Sequence, residues 1–461
     1  MFKKNLLKLM GAVCLASMLF MTACEKPDSA NKGENAEADI SQNDESLESC
    51  DTYEAMSYAG YKLEKVVVLS RHGIRAPHYE EGSVLATITP HQWYEWTAKP
   101  AELSLKGGVL ETQMGQYFRK WMEKEGLFSE NFLPEEGQVR IYANSKQRTI
   151  ATAKYFAAGL LPCANTEVEY HADFDKMDPI FNPQFTFMND AYNADVEAEV
   201  NELFGEKIKD LEDNFDLLTK VIDLKNSEGY KSGEIGDFKT DDNVFAFELG
   251  EEPKVSGSLM RGCTVSDALV LQYYEEEDAG KADFGNNLKL EDWESIAEIK
   301  DLYVDALVTA PLVSANVAHP LLAEINKEMN TEGRLFTFLC GHDSNLDSVL
   351  ASLDVKDYSL PNSIEKKTPI GSKLVFSQWT NESGNKFWSV DLIYQTIDQL
   401  RNNTMLDAQC GPCIYHLEFE GLTPNEAGLY ADSDLNARFL EAIAEYDEIV
   451  AKYTAASDLA A

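Results

Sequence analysis

Two short apolar segments, far apart along the chain, each end in a cluster of polar residues, and this pattern limits the folds that the chain can adopt. The segments are KVVVL at residues 65–69 and LFTFL at 335–339. Continuous apolar runs of this length, rich in β-branched and aromatic residues, are typical of strands buried on both faces of a parallel sheet. The first run continues into SRHG at 70–73 and the second into CGHD at 340–343. Because ligands bind at the carboxyl edge of open α/β sheets, we expect both clusters to lie at such an edge.

The segments around these two runs have helical or strand periodicity. Apolar residues recur at helical spacing over 109–121, and Ser145 can cap a helix that has Arg148 in its first turn. Ser344 or Asn345 is expected to begin another helix. Further predicted elements are strands at 374–376 and 414–417 and a final helix at 439–453. The sequence therefore predicts an α/β fold with a mostly parallel sheet flanked by helices.

Residues 165–330 differ in character from the segments on either side. This region is acidic, and its apolar residues between Val196 and Phe215 are spaced by three and four positions, as in amphipathic helices. We therefore predict a helical domain of residues 165–330. It would be inserted into an α/β domain formed by residues 59–164 and 331–461.

The first residues have the pattern of an export signal. Three lysines precede an apolar stretch that ends in small residues before Cys24, and this stretch is shorter than the roughly 20 residues of a membrane-spanning helix. We predict a lipoprotein signal peptide at residues 1–23 and lipidation of Cys24, with an uncleaved transmembrane anchor as the alternative. Residues 24–58 are poor in large apolar residues and are predicted to be a flexible acidic tether. The protein would then be lipid-anchored in the cell envelope, facing the periplasm or the outer surface.

The charge and the cysteines limit the partners and cofactors. The chain has 40 basic and 79 acidic residues and a net charge of −39, so nucleic acid is not expected to bind. Cys410 and Cys413 could be a redox pair, a local disulfide or half of a zinc site, but the sequence contains no second CxxC motif. We therefore predict no metal and no cofactor. Cys340 lies inside an apolar run and is expected to be a buried thiol.

The residue types in the two clusters suit phosphoryl transfer. His72 lies between Arg71 and Arg75, and planar guanidinium groups bind phosphoryl oxygens through parallel hydrogen bonds. A neutral imidazole can attack phosphorus and form a phosphohistidine. Asp343 could protonate the leaving alkoxide and later activate water. Further candidate donors, at predicted helix starts, are Arg148 and His342.

The two clusters also resemble known motifs. RHGIRAP at 71–77 and GHDSN at 341–345 are similar to the two signatures of the histidine acid phosphatases, which form branch 2 of the histidine phosphatase superfamily. This branch contains the periplasmic glucose-1-phosphatases, to which the resemblance is most extensive, and bacterial phytases. Similar segments lie at 82–85, 106–111, 142–149, 177–183, 271–275 and 368–371. The resemblance implies a histidine phosphatase fold whose inserted helical domain covers the active site.

The resemblance also implies roles for individual residues. His72 would accept the phosphoryl group and Asp343 would donate the proton, while the phosphate would be held by Arg71, Arg75, Arg148 and His342. Glu252 resembles a pocket glutamate that bears on substrate choice, although it could equally be an ordinary exposed acid. Cys163 resembles a disulfide-forming position of the family. The histidines expected to be structural are His78, His91, His171, His319 and His416.

Four functions are compatible with the sequence. The leading interpretation is an exported acid phosphatase that hydrolyses phosphate monoesters, in particular sugar phosphates such as glucose 1-phosphate, through a phosphohistidine. A phytase is the nearest alternative, because the phytases share Gly73 whereas the glucose-1-phosphatases have asparagine there. A phosphotransferase related to phosphoglycerate mutase would share the nucleophile but work in the cytoplasm. A non-catalytic sugar-binding lipoprotein would not need a nucleophile, an acid and a cationic site together.

Overall fold

The computed structural model describes residues 53–460. The predicted signal peptide, Cys24 and most of the predicted tether lie outside these residues. The tether was expected to reach residue 58, but Tyr53–Met56 form a short 3-10 helix and Met56 is buried among the side chains of the core. The packed part of the chain therefore begins before residue 58.

Nine strands and thirteen α-helices form the described chain. The strands are β1 Tyr61–Arg71, β2 Val139–Ala143, β3 Val244–Ala246, β4 Lys254–Ser256, β5 Phe336–Gly341, β6 Lys373–Asn381, β7 Lys386–Tyr394, β8 Cys413–His416 and β9 Tyr430–Ala431. The helices are α1 Leu105–Lys124, α2 Gln147–Leu160, α3 Asp190–Lys209, α4 Glu212–Val221, α5 Glu228–Ser232, α6 Ser258–Glu275, α7 Ala279–Ala282, α8 Leu290–Val308, α9 Pro311–Val317, α10 His319–Asn330, α11 Asp343–Ser352, α12 Ile397–Asn402 and α13 Asp432–Ala460.

Seven strands form one mixed sheet. Its order is β2-β5-β1-β6-β7-β8, with β9 paired to β7. Strands β2, β5 and β1 are parallel to one another, whereas β6 to β9 pair in antiparallel fashion. The α/β class is confirmed, but the expectation of a mostly parallel sheet needs correction. The apolar pattern of a buried strand does not encode its direction, and β6 and β7 are joined by a short hairpin that makes them antiparallel.

Helices cover both faces of this sheet. Val66 and Val68 of β1 pack on the side of α1 and α2, and Val67 and Leu69 pack on the side of α10, α11 and α13. Each of these four side chains is fully buried. A strand with both faces covered has no solvent-facing position, which explains the uninterrupted apolar run that predicted it.

Helices α3 to α10 occupy residues 190–330, as the acidic amphipathic pattern predicted. The apolar side chains of α3 to α9 share a large core with side chains of α1 and of the loop after β1, whereas those of α10 pack against the sheet. The predicted domain boundaries at residues 165 and 330 stay a prediction. Within residues 53–460, no helix has both the length and the apolarity that crossing a membrane requires.

Candidate active site

The two polar clusters meet at the carboxyl edge of two neighbouring parallel strands. Arg71, the last residue of β1, is in register with Gly341, the last residue of β5. The backbone N–H of His72 donates to the Gly341 carbonyl over 3.1 Å, and the N–H of Gly371 donates to the His72 carbonyl over 3.0 Å. The expectation that both clusters share one edge of the sheet is therefore confirmed.

His72 is held as a buried, neutral imidazole. Its Nδ1 lies 2.9 Å from the Gly73 carbonyl, so Nδ1 carries the proton and Nε2 keeps its lone pair. Burial lowers the pKa of His72 well below its usual value, and the charges of Arg148 and Arg75 lower it further. The ring is therefore unprotonated and can act as a nucleophile at acidic pH.

Two nitrogens of the Arg71 guanidinium group already contact other groups of the protein. Its Nη1 donates to Glu365 Oε1 over 2.6 Å and to the Thr368 carbonyl over 2.7 Å, and its Nη2 contacts Asp343 Oδ2 at 3.0 Å. Its side chain is only 1% exposed. These bonds fix the plane of the guanidinium before any substrate arrives.

Arg75 and Arg148 complete a cationic cluster around His72. Arg75 pairs with Asp267 of α6 at 3.0 Å, and Arg148 is the second residue of α2. Burial and the charge of Arg75 lower the pKa of Arg148 to about 10, so it remains a cation at acidic and neutral pH. The Nε–H groups of Arg71, Arg75 and Arg148 are buried and have no hydrogen-bond partner among the described residues. Buried donors without a partner are costly, which makes them suited to bind an anion.

His342 is oriented by Asn144, which sequence reasoning missed. The Asn144 side-chain oxygen accepts the backbone N–H groups of Ser145 and Asp178 over 2.8 and 2.9 Å, so its amide nitrogen must face the histidine. That nitrogen donates to His342 Nε2 over 2.7 Å, and Nδ1 therefore carries the proton of the neutral ring. Asn144 follows directly after β2, so the rule that found the other two clusters could have found it as well.

Asp343 is the first residue of α11 and is ionised. Its Oδ1 accepts the N–H of Ser344 over 2.9 Å, while Oδ2 contacts Arg71 and lies 3.8 Å from Lys300 Nζ. Burial raises the pKa of Asp343, but the charges of Arg71 and Lys300 outweigh this effect and hold it well below its usual range. The ring of the adjacent His342 lies 5.5 Å from the ring of His72, and Asp343 contacts Arg71, the residue before His72, so the two clusters meet at one place.

A buried ion pair supports the loop that carries His72. Lys373 Nζ lies 3.0 Å from Glu111 Oε2, and both side chains are almost inaccessible. A Cβ atom at Gly73 would lie 3.2 Å from the Glu111 side chain, so a larger residue here would require that side chain to move by a few tenths of an ångström. The backbone of Gly73 has no left-handed φ angle.

The remaining predicted residues lie around this centre. Glu252 precedes β4 at the surface, and desolvation raises the pKa of its carboxyl although Lys146 and Arg148 oppose the shift. His78, expected to be structural, is close enough to Arg75 and Arg148 for their charges to add to the effect of burial and lower its pKa. His78 therefore lies near the Arg75 and Arg148 side chains.

Cys340 is fully buried, as expected, and Cys163 is exposed and forms no disulfide within residues 53–460. In the same part of the chain, no group of three or more histidine, cysteine or acidic side chains could hold a metal ion.

Comparison with known proteins identifies the family of the chain. Residues 62–395 match the model of the histidine phosphatase superfamily, branch 2. The chain belongs to this family. A glucose-1-phosphatase of Providencia rettgeri is 35% identical over 387 residues, which are 83% of this chain and 92% of the relative. One from Salmonella typhimurium is 34% identical over 366 residues, which are 78% and 88% of the two chains.

A solved relative has the same fold. The phytase of Citrobacter braakii superimposes with a TM-score of 0.74 at 27% identity, over 84% of this chain and 98% of the phytase. The predicted histidine phosphatase fold is thus confirmed. As a histidine acid phosphatase, the protein is a hydrolase of phosphate monoesters.

Proposed function

We propose that the protein hydrolyses small sugar phosphates such as glucose 1-phosphate through a phosphohistidine formed on His72. One observation carries this proposal more than any other. A neutral, buried imidazole lies among three arginines that each keep one buried N–H without a partner among the described residues. Such an arrangement can bind a phosphoryl group and attack it.

In the first step, His72 Nε2 attacks the phosphorus atom. Before this step the negative charge of the bound ester favours uptake of a proton from acidic solution by the Asp343 carboxylate. The N–P bond forms as the ester O–P bond breaks, and Asp343 transfers that proton to the departing sugar oxygen. The guanidinium groups and the Nδ1–H of His342 donate to the phosphoryl oxygens, on which charge is distributed in the transition state. This role for His342 depends on Asn144, which keeps the proton on Nδ1.

In the second step, the phosphohistidine is hydrolysed. Asp343, now a carboxylate, accepts a proton from water, and the water oxygen forms a new bond to phosphorus as the N–P bond breaks. Inorganic phosphate leaves, and both His72 and Asp343 return to their starting states. The two steps use one carboxyl group first as acid and then as base.

The acidic side chains near the cluster favour a substrate with a single phosphate. Asp267 pairs with Arg75, and Glu252 is close enough to Arg148 for their charges to interact. A polyphosphorylated substrate would place further negative charge against these carboxylates. Phytate remains the second candidate, because the structure resembles a phytase and the loop after His72 has glycine at position 73.

A steady-state comparison of three substrates tests this function. We expect the specificity constant for glucose 1-phosphate to exceed that for phytate at acidic pH, and activity to persist in the presence of a chelator. His72→Ala should abolish phosphate release while binding of the sugar phosphate remains. Equal specificity constants for glucose 1-phosphate, phytate and an aryl phosphate would contradict the sugar-phosphate preference. Full activity of the His72→Ala variant would contradict the mechanism.

We also propose that the protein is exported and anchored by a lipid on Cys24, with the signal peptide of residues 1–23 removed. The apolar stretch before Cys24 and the small residues that precede it support this location. Labelling of cells with a radioactive fatty acid should mark the wild-type protein and not a Cys24→Ala variant. An equally labelled variant would contradict the anchor.

A further inference from the structure

A lysine outside both sequence motifs lies beside the proton donor. Lys300, in the middle of α8, has a side chain that is only 4% exposed. Its Nζ lies 3.1 Å from Glu365 Oε1 and 3.8 Å from Asp343 Oδ2. Lys300 and Arg71 therefore approach the same oxygen of Asp343, from α8 and from β1.

Five charged side chains form one network, namely Arg71, Lys300, Asp301, Asp343 and Glu365. Glu365 is fully buried, accepts a hydrogen bond from Arg71 and forms an ion pair with Lys300 at 3.1 Å, so it holds the two cations in place. Asp301 provides a second carboxylate 3.4 Å from Lys300. Burying a lysine carries a large desolvation cost, and this cost is offset here by carboxylates on two sides.

We propose that Lys300 is a positioning residue that, together with Arg71 and Glu365, fixes the Asp343 carboxylate and sets the highest pH at which it can supply a proton. This inference rests on the proposed function, in which Asp343 protonates the leaving oxygen. Lys300 lies 3.8 Å from Asp343 Oδ2 and acts on the reaction through this carboxyl group.

Two features of the site have opposite effects on the protonation of Asp343. An acid must be protonated to give up a proton, but the two adjacent cations keep the pKa of Asp343 well below its usual range against the opposing effect of burial. A bound phosphate ester brings negative charge next to Asp343 and favours its protonated form. Lys300 opposes this effect of the substrate and thereby restricts protonation of Asp343 to acidic solution.

Other charged or titratable groups also act on Asp343. From its own helix these are the neighbouring His342 and Asp347, one turn further along. From other elements, Arg148 of α2, Tyr303 of α8 and Cys263 of α6 interact with it more weakly. Within residues 53–460, Arg71 and Lys300 are the two cations that form ion pairs with its carboxylate, and Lys300 can be changed without altering the RHGIRAP segment.

The test is the pH dependence of kcat for two substrates that differ in leaving group. Glucose 1-phosphate needs an acid for its poor leaving group, whereas p-nitrophenyl phosphate does not. We expect Lys300→Met to move the high-pH limb for glucose 1-phosphate upward by at least one pH unit. At pH values on the falling part of the limb, kcat of the variant, expressed as a fraction of its plateau value, would then be about tenfold higher than the same fraction for wild type. The limb for p-nitrophenyl phosphate should move less.

Lys300→Arg is the matched control, because it keeps the charge and should leave the limb in place. Should Lys300→Met fail to fold, Lys300→Gln removes the charge and retains a donor toward Glu365. A uniform loss of kcat at every pH and for both substrates would mean a merely structural lysine and would overturn the proposal.

Asp343→Asn separates this inference from the proposed function. It should impair glucose 1-phosphate hydrolysis far more than p-nitrophenyl phosphate hydrolysis. Equal loss on both substrates would overturn the proton-donor assignment and the Lys300 proposal together. A limb that stays in place in Lys300→Met, with Asp343→Asn behaving as expected, would overturn the Lys300 proposal alone.

Discussion

Replacement of Lys373 by methionine tests whether its buried ion pair with Glu111, next to the loop that carries His72, stabilises the fold. Lys373 Nζ lies 3.0 and 3.1 Å from the two carboxylate oxygens of Glu111 and donates to the Gly371 carbonyl over 2.7 Å. The Lys373 side chain is fully buried and that of Glu111 is 4% exposed. Methionine keeps most of the volume of the lysine but removes its charge and its hydrogen bonds.

The expected cost follows from the burial of the partner. Removing one member of a buried ion pair leaves an uncompensated charge and destabilises a protein by about 3–5 kcal/mol. Folded domains are stable by only about 5–15 kcal/mol, so Lys373→Met should remove a large part of the free energy of unfolding. Replacing both partners by apolar residues removes the unpaired charge. The double variant Glu111→Leu/Lys373→Met should therefore regain most of the loss.

The loss should also depend on pH. Burial raises the pKa of Glu111, and the charge of Lys373 opposes this shift. In Lys373→Met the folded-state pKa therefore rises further above the unfolded value, so the folded state binds more protons than the unfolded state. Stability is then greatest below the unfolded pKa and is lost as the pH rises through the folded pKa. The variant should be closer to wild type at pH 4 than at pH 7.

Urea unfolding followed by tryptophan fluorescence measures these differences. Lys356→Met is the matched control, because Lys356 and Glu418 form an ion pair of 2.8 Å that is exposed on the surface. Its urea midpoint should not change measurably, since exposed pairs contribute little. The reasoning would be refuted if Lys373→Met unfolded at the wild-type midpoint at pH 7. A double variant as unstable as the single variant would refute it as well.

Three further predictions concern the protonation of His72, the hydrogen bond between Asn144 and His342, and the packing of α1 against α2. Because the pKa of His72 is depressed, kcat/KM should not fall with an apparent pKa near 6.5 as the pH is lowered, and a limb at that value would contradict a buried neutral nucleophile. Asn144→Leu frees the tautomer of His342 and should lower kcat/KM by about tenfold or more, with a changed ¹⁵N shift of that ring; an unchanged shift and rate would oppose the assignment. Gly115→Ala places a Cβ 2.1 Å from the Phe156 carbonyl, so α1 and α2 must separate; calorimetry should show a loss of about 1–3 kcal/mol, and wild-type stability would be contrary to this packing.

The sequence predicted those parts of the site that follow directly after strands. His72 and Asp343 are 271 positions apart, yet both could be placed because each comes just after an apolar run whose end defines its position. Lys300 has no such signal, since it lies within a helix and its role depends on how α8 packs against α11. Glu365 lies in the loop before β6. From the sequence, an acidic residue in a loop is expected to be exposed to solvent, but the Glu365 side chain is fully buried. Tertiary packing, which a single sequence does not encode locally, decided both cases.

The same limitation applies to the number of hydrogen bonds that an arginine has available. From its motif, Arg71 was expected to hold the phosphate through parallel hydrogen bonds, but one of its nitrogens already donates to Glu365 and another forms an ion pair with Asp343. Arg75 is likewise held by Asp267. Arg71 and Arg75 are thus fixed in place by carboxylates before substrate binds, which lowers their net attraction for an anion but removes the cost of reorganising them during phosphoryl transfer. In a chain with a net charge of −39, binding of the substrate must then depend on the few donors that remain free and point at the phosphoryl group, and not on a general positive field.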